Sequence, residues 1–145
     1  MRKPKKTKYG DYATWVEFEV MANYCVRVIF SDDIVKSAQK RIGRGPGEGA
    51  DAFCYHVHDT GRSYIFLPLD APEGTVVHEC WHIVRQVMAY CHVQELDDEV
   101  IAYHLDHMVE KVYDFKKAIQ SSIKEEENNG NGKCTNTDTR AITEG

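Results

Sequence analysis

The chain has 145 residues, 42% of them hydrophobic and 28% charged, with a net charge of −5, which suits one domain with a modest core. No apolar run approaches the roughly 18–20 residues of a membrane-spanning helix, and the basic start (Arg2, Lys3, Lys5, Lys6, Lys8) is not followed by the apolar stretch of a secretory signal. In an acidic chain that start reads as a solvated terminus over residues 1–10, so neither nucleic acid nor membrane is an expected partner.

Period-two patterning comes first. In Trp15–Val20, Val16, Phe18 and Val20 alternate with Trp15, Glu17 and Glu19; in Tyr24–Phe30, Tyr24, Val26, Val28 and Phe30 share a face. The spacing predicts two strands and a hairpin around Met21–Asn23. Ser31-Asp32-Asp33 then caps a short helix through Lys40-Arg41, stopped by Gly43. The following loop holds Gly43, Gly45, Gly47 and Gly49 but lacks the Gly-Lys-Ser/Thr ending of a phosphate-binding loop, and it follows a helix rather than a strand. It is read as a plain connection. Ala52–His58 and Arg62–Leu69 form a second strand pair joined at Asp59-Thr60-Gly61. His56 and His58 alternate onto one face, but with no third partner in view they read as strand-surface histidines.

The next helix carries the chemistry. His78-Glu79-Cys80-Trp81-His82 matches H-E-x-x-H, in which histidines at i and i+4 stand on one helix face and present two neutral imidazoles to one metal ion. Glu79, one residue on, is placed to take a proton from water at that ion. Asp70 is expected to cap this helix, with Pro72 in the first turn and Glu73 closing a capping box. Val76, Val77, Cys80, Trp81, Ile83, Val84, Val87 and Met88 cover most of its circumference, which predicts a helix buried nearly all round. Thr75, His78, Glu79, His82, Arg85 and Gln86 form the remaining polar stripe. Arg85 and Met88 stand where the metzincin continuation needs Gly and His, so that class is excluded.

A second amphipathic helix is expected from near Leu96, after a short loop at Cys91–Glu95. Its stripe runs Leu96, Val100, Tyr103, Met108, Val112, Phe115, Ile119 and Ile123, with Asp97, Asp98 and Glu99 in its first turn, where carboxylates suit the helix dipole. After Ile123 the chain turns polar, and residues 127–145 are expected to be a disordered tail. Cys25, Cys54, Cys80, Cys91 and Cys134 are odd in number and show no C-x-x-C pair, which points to reduced thiols and a cytoplasmic protein. Cys80 is read as packing.

H-E-x-x-H followed by a Glu on the next helix resembles the gluzincin-type zinc metallopeptidases. More narrowly, His78-Glu79-Cys80-Trp81-His82 followed by Glu99-Val100-Ile101-Ala102-Tyr103 resembles small phage and prophage proteins that pair a HExxH helix with an E-x-x-A-Y helix. The likeness is strongest over residues 62–115. It implies zinc held by His78, His82 and Glu99, Glu79 as general base, a peptide or protein substrate lying along the strand Ser63–Leu69, and a bacterial or phage-infected cytoplasm as the setting. Helix rise puts His82 about 12 Å below the turn between the helices and Glu99 only about 5 Å beyond it, so Glu99 needs an oblique crossing to reach the ion. Tyr103, Asp106 and His107 lie deeper on a similar face; Asp98, Asp106 and His107 stay open as alternatives for the third position, and Asp98 also as a group orienting a ligand.

The expected architecture is one α+β domain over residues 1–126, a small antiparallel-rich sheet packed on a helical pair that holds Zn2+. The expected activity is metal-assisted hydrolysis, most naturally of a peptide bond, with Glu79 accepting the proton and Tyr103 the one candidate for oxyanion contact. The rival reading is a non-catalytic zinc protein in which the metal clamps two helices and the surface serves protein interaction.

Overall fold

Four strands and three helices make up the computed structural model, which describes residues 2–18, 23–47, 49–57, 60–92 and 98–131. The class is α+β. β1 (Tyr12–Phe18) and β2 (Tyr24–Ser31) pair antiparallel, as do β3 (Phe53–Val57) and β4 (Arg62–Pro68), and β2 lies parallel to β4, giving the order β1-β2-β4-β3. Both antiparallel pairs follow the alternation read from the sequence; residues 21 and 22 of the first turn and His58 and Asp59 of the second lie outside the described residues.

The parallel pairing gathers the two most apolar strands at the centre. Val26, Val28, Ile29 and Phe30 of β2 and Ile65, Phe66 and Leu67 of β4 are all fully buried, on both faces of the sheet. β4 is therefore interior, and the sheet edge that was expected at Ser63–Leu69 belongs to β3.

One sheet face is covered by α1 (Ile34–Ile42), with Ile34 and Ala38 packed on Ile29 and Phe66. Asp33 caps α1 by accepting from the Lys36 N–H at 3.0 Å, and Gly43 ends it in the left-handed conformation, φ 65°, which favours a residue without Cβ. The other face packs on α2 (Glu73–Tyr90) and α3 (Asp98–Asn131). Val76, Cys80, Ile83, Val84 and Val87 are fully buried there, and each of the four aliphatic chains among them contributes about 1.5–3 kcal/mol. One face of α2 thus supplies its docking energy and leaves the opposite face available for polar side chains.

Several expectations are corrected. α2 is not buried nearly all round: Val77 and Trp81 are each 40% exposed, because the apolar face that meets the sheet and α3 is narrower than the count of apolar residues suggested. Its N-cap is Pro72 in an extended conformation, with no side-chain cap, and Asp70 lies upstream of it. On α3, Val100 and Tyr103 point to solvent, while Ile101 and His104 take the buried positions. Leu96 and Asp97 lie outside the described residues. α3 also continues through Asn131, past the boundary expected at residue 126, and residues 132–145 of the expected tail lie outside the described residues. The basic start is tied down at two points: Lys3 pairs with Glu125 at 2.8 Å, and Ser122 donates to the Pro4 carbonyl at 3.1 Å. Farther along, Arg41 grips Asp11 through two bonds, fixing α1 to the start of β1.

Candidate metal centre

His78 and His82 stand one turn apart on the exposed face of α2, with their Nε2 atoms 3.1 Å apart and ring planes at 78°. The i, i+4 spacing brings the two imidazoles together. Two nitrogens each about 2.0–2.1 Å from one tetrahedral zinc ion stand about 3.3 Å apart. The pair is spaced within a few tenths of an ångström of what a shared ion requires, and neutral imidazole is a preferred zinc donor, so the two residues fit half of such a site.

Glu79 lies about 100° further round the helix and is 7% exposed, turned toward the β3 edge. Its Oε2 accepts from the Cys54 thiol at 3.0 Å, and the same thiol lies 3.4 Å from the Glu79 carbonyl. Burial pushes the Cys54 thiol far above its ordinary range, and the Glu79 carboxylate pushes it further, so Cys54 stays a proton-bearing donor. Cys80 is fully buried, its thiol pushed up to about 12 by burial and then by Glu79, in keeping with a packing role. Beside Cys54 on the inner face of β3, His56 Nδ1 lies 2.8 Å from Ser63 Oγ, which also bonds the Tyr24 hydroxyl. The carboxylate of the HExxH segment is thus anchored to the edge strand.

Glu99 is exposed in the first turn of α3. α2 packs over β3 and β4, while α3 packs against α2 and β1. The structure brings His78 and His82 together; among the described residues no group of three His, Cys, Asp or Glu side chains converges as a metal site. Asp98 and Asp106 are exposed. His107 directs Nε2 to the Glu17 carbonyl at 3.1 Å and packs edge-on against Phe18, which ties its ring to β1. Tyr103 is 67% exposed.

The Cys54–Glu79 contact escaped sequence reasoning. The available signal was the shared parity of Cys54 and His56 on a strand two elements before the HExxH helix, but parity does not say which helix covers that face. Comparison with protein-family profiles, curated proteins and solved structures returns no match to this chain.

Proposed function

We propose that this chain is a zinc-dependent hydrolase of the gluzincin-like kind, acting on peptide bonds in a cytoplasm where its thiols stay reduced. The observation that carries the reading is the paired Nε2 atoms of His78 and His82 on an open helix face, with a carboxylate at the intervening position. His78 and His82 would hold the ion, and Glu99 is the third ligand on the E-x-x-A-Y resemblance. When bound, zinc would supply Lewis acidity and acidify water at neutral pH. Glu79 accepts the proton from the attacking water at its carboxylate, held for that purpose by the Cys54 thiol, and returns it to the leaving amine. An extended peptide adds to the free outer edge of β3, the strand that carries Cys54. The free state of Cys25, Cys54, Cys80 and Cys91 supports the reducing compartment.

A non-catalytic zinc protein is the second reading, and one observation favours it: the Glu79 carboxylate is buried and already engaged by Cys54. Glu79→Gln separates the two. In the hydrolase it retains zinc and folds normally, while cleavage of a peptide library falls by about 10²–10⁴, the usual worth of a general base. In the non-catalytic protein, wild type and variant are equally inert, and a cobalt-substituted sample shows four protein ligands and no exchangeable water.

A further inference from the structure

The sheet face under α1 is only partly covered. α1 roofs the row formed by Ala13, Ile29, Phe66 and Phe53. The next row lies across all four strands in strict register: Trp15 opposite Arg27, Arg27 opposite Tyr64, Tyr64 opposite Tyr55. At about 4.8 Å per strand it extends some 14 Å. Trp15 is 47% exposed, and Arg27, Tyr64 and Tyr55 are half-buried. The Arg27 guanidinium lies 4.9 Å from the Trp15 ring and that of Arg44 lies 5.4 Å from the Tyr55 ring.

The charge around this row differs from that of the whole chain. Arg41–Asp11 and Lys3–Glu125 are ion pairs, and Arg27 and Arg44 take part in neither. α1 carries no acidic residue, but its Arg41 is paired with Asp11, its Lys36 and Lys40 line a cavity with Ser31, Asp32 and Asp33, and Glu17 lies in the row beyond Trp15, so the charge offered to the row is that of Arg27 and Arg44. The acidity sits elsewhere: α3 carries eight carboxylates against four lysines, on the opposite side of the sheet. The net charge of −5 that argued against nucleic acid is therefore largely the charge of α3. Burial, and then the nearby Arg41 charge, pull the Arg27 pKa down while Asp11 and Tyr64 act the other way, so the guanidinium is only partly compensated and an anion brought to this row would add to that compensation.

We infer that the Trp15–Arg27–Tyr64–Tyr55 row is a platform for single-stranded nucleic acid, with bases stacked on Trp15 and Tyr55 and phosphates met by Arg27 and Arg44. Flat aromatic side chains give every base a stacking partner without selecting sequence, and guanidiniums serve both the ring faces and the backbone. The row has room for two or three nucleotides, so binding is expected to be weak, sequence-tolerant and steeply salt-dependent. It does not depend on the HExxH residues.

The test uses the full chain carrying Trp81→Phe, so that Trp15 is the sole tryptophan, titrated with oligo-dT and oligo-U at low salt. Quenching of Trp15 fluorescence is expected, and the anisotropy of dye-labelled oligonucleotide compares the variants: binding is reduced about five-fold or more by Trp15→Ala and by Arg27→Gln, retained in Trp15→Phe and unchanged by Lys117→Ala on α3. Thermal melts check that each variant folds; should Trp15→Ala fail, Arg27→Gln carries the same comparison. Three results would overturn the inference. One is no quenching with oligonucleotide at about 100 µM, the weak end of non-specific affinities. Another is binding that survives Trp15→Ala and Arg27→Gln but is lost when Lys3, Lys5, Lys6 and Lys8 are replaced by Ala. The third is self-association abolished by Trp15→Ala with no oligonucleotide binding, which would assign the row to a second copy of the chain.

Discussion

Asp11→Ala measures what holds α1 to the first strand. Arg41 reaches Asp11 through Nε at 2.8 Å and Nη2 at 2.6 Å, and Thr7 Oγ1 adds a third bond at 2.5 Å. The Asp11 side chain is fully buried, that of Arg41 is 8% exposed, and the guanidinium also lies 4.5 Å from the Tyr9 ring. Removing the carboxylate strands a desolvated guanidinium, which costs about 3–5 kcal/mol where both partners are buried. For a domain of this size that corresponds to a fall of about 10 °C in Tm. Urea unfolding followed by circular dichroism reads it directly, and Asp11→Ala/Arg41→Ala should lose less than the sum of the two single variants. The contribution depends on pH. Burial by itself would raise the Asp11 carboxyl, but the hydrogen bonds from Arg41 and Thr7 and the Arg41 charge hold it below the usual carboxylate range. With the folded pKa under the unfolded one, the stabilisation is complete above about pH 4 and is lost as pH falls toward the folded value. Asp11→Asn should therefore flatten the acid limb of the stability curve. A loss below about 1 kcal/mol for Asp11→Ala, or an unchanged acid limb in Asp11→Asn, would refute this account of the pair.

Thiol chemistry offers a second check. Cys54 and Cys80, both pushed up by burial and by Glu79, should be the slowest of the described cysteines to alkylate at pH 8, with Cys25 well ahead of them by mass-spectrometric mapping. The third-ligand assignment is tested by Glu99→Ala, which should weaken zinc binding about 10-fold or more, with Asp98→Ala milder. A large effect of Asp106→Ala or His107→Ala with none from Glu99→Ala would show the E-x-x-A-Y resemblance to be misleading.

The legible parts of this fold were the local ones. Both hairpins followed from alternation, and α1 was bracketed by two residues with strong backbone preferences, Asp33 and Gly43. The parallel contact of β2 with β4 joins segments more than thirty residues apart; the runs Val28–Phe30 and Ile65–Leu67 announce burial on two faces, but no local signal names the partner. Helix type and length survived the reading better than helix rotation. Val77, Trp81, Val100 and Tyr103 looked like core residues and lie half-open, because an apolar residue at the border of a stripe is free to face water where no element covers it. The same limit applies to the candidate site. Spacing fixed His78 against His82, since both ride on one helix, whereas the Cys54 thiol beneath Glu79 and the position of Glu99 depend on how separate elements pack.

Metal content tests the central claim most directly. Protein purified without added zinc, analysed by elemental methods and by thermal shift on titration, should carry about one zinc per chain and melt higher with the metal than without. His78→Ala and His82→Ala should each abolish both effects. No bound transition metal in the wild-type chain, together with no thermal shift on adding zinc, would contradict the account and leave the His78–His82 pair as two surface imidazoles that share a helix face.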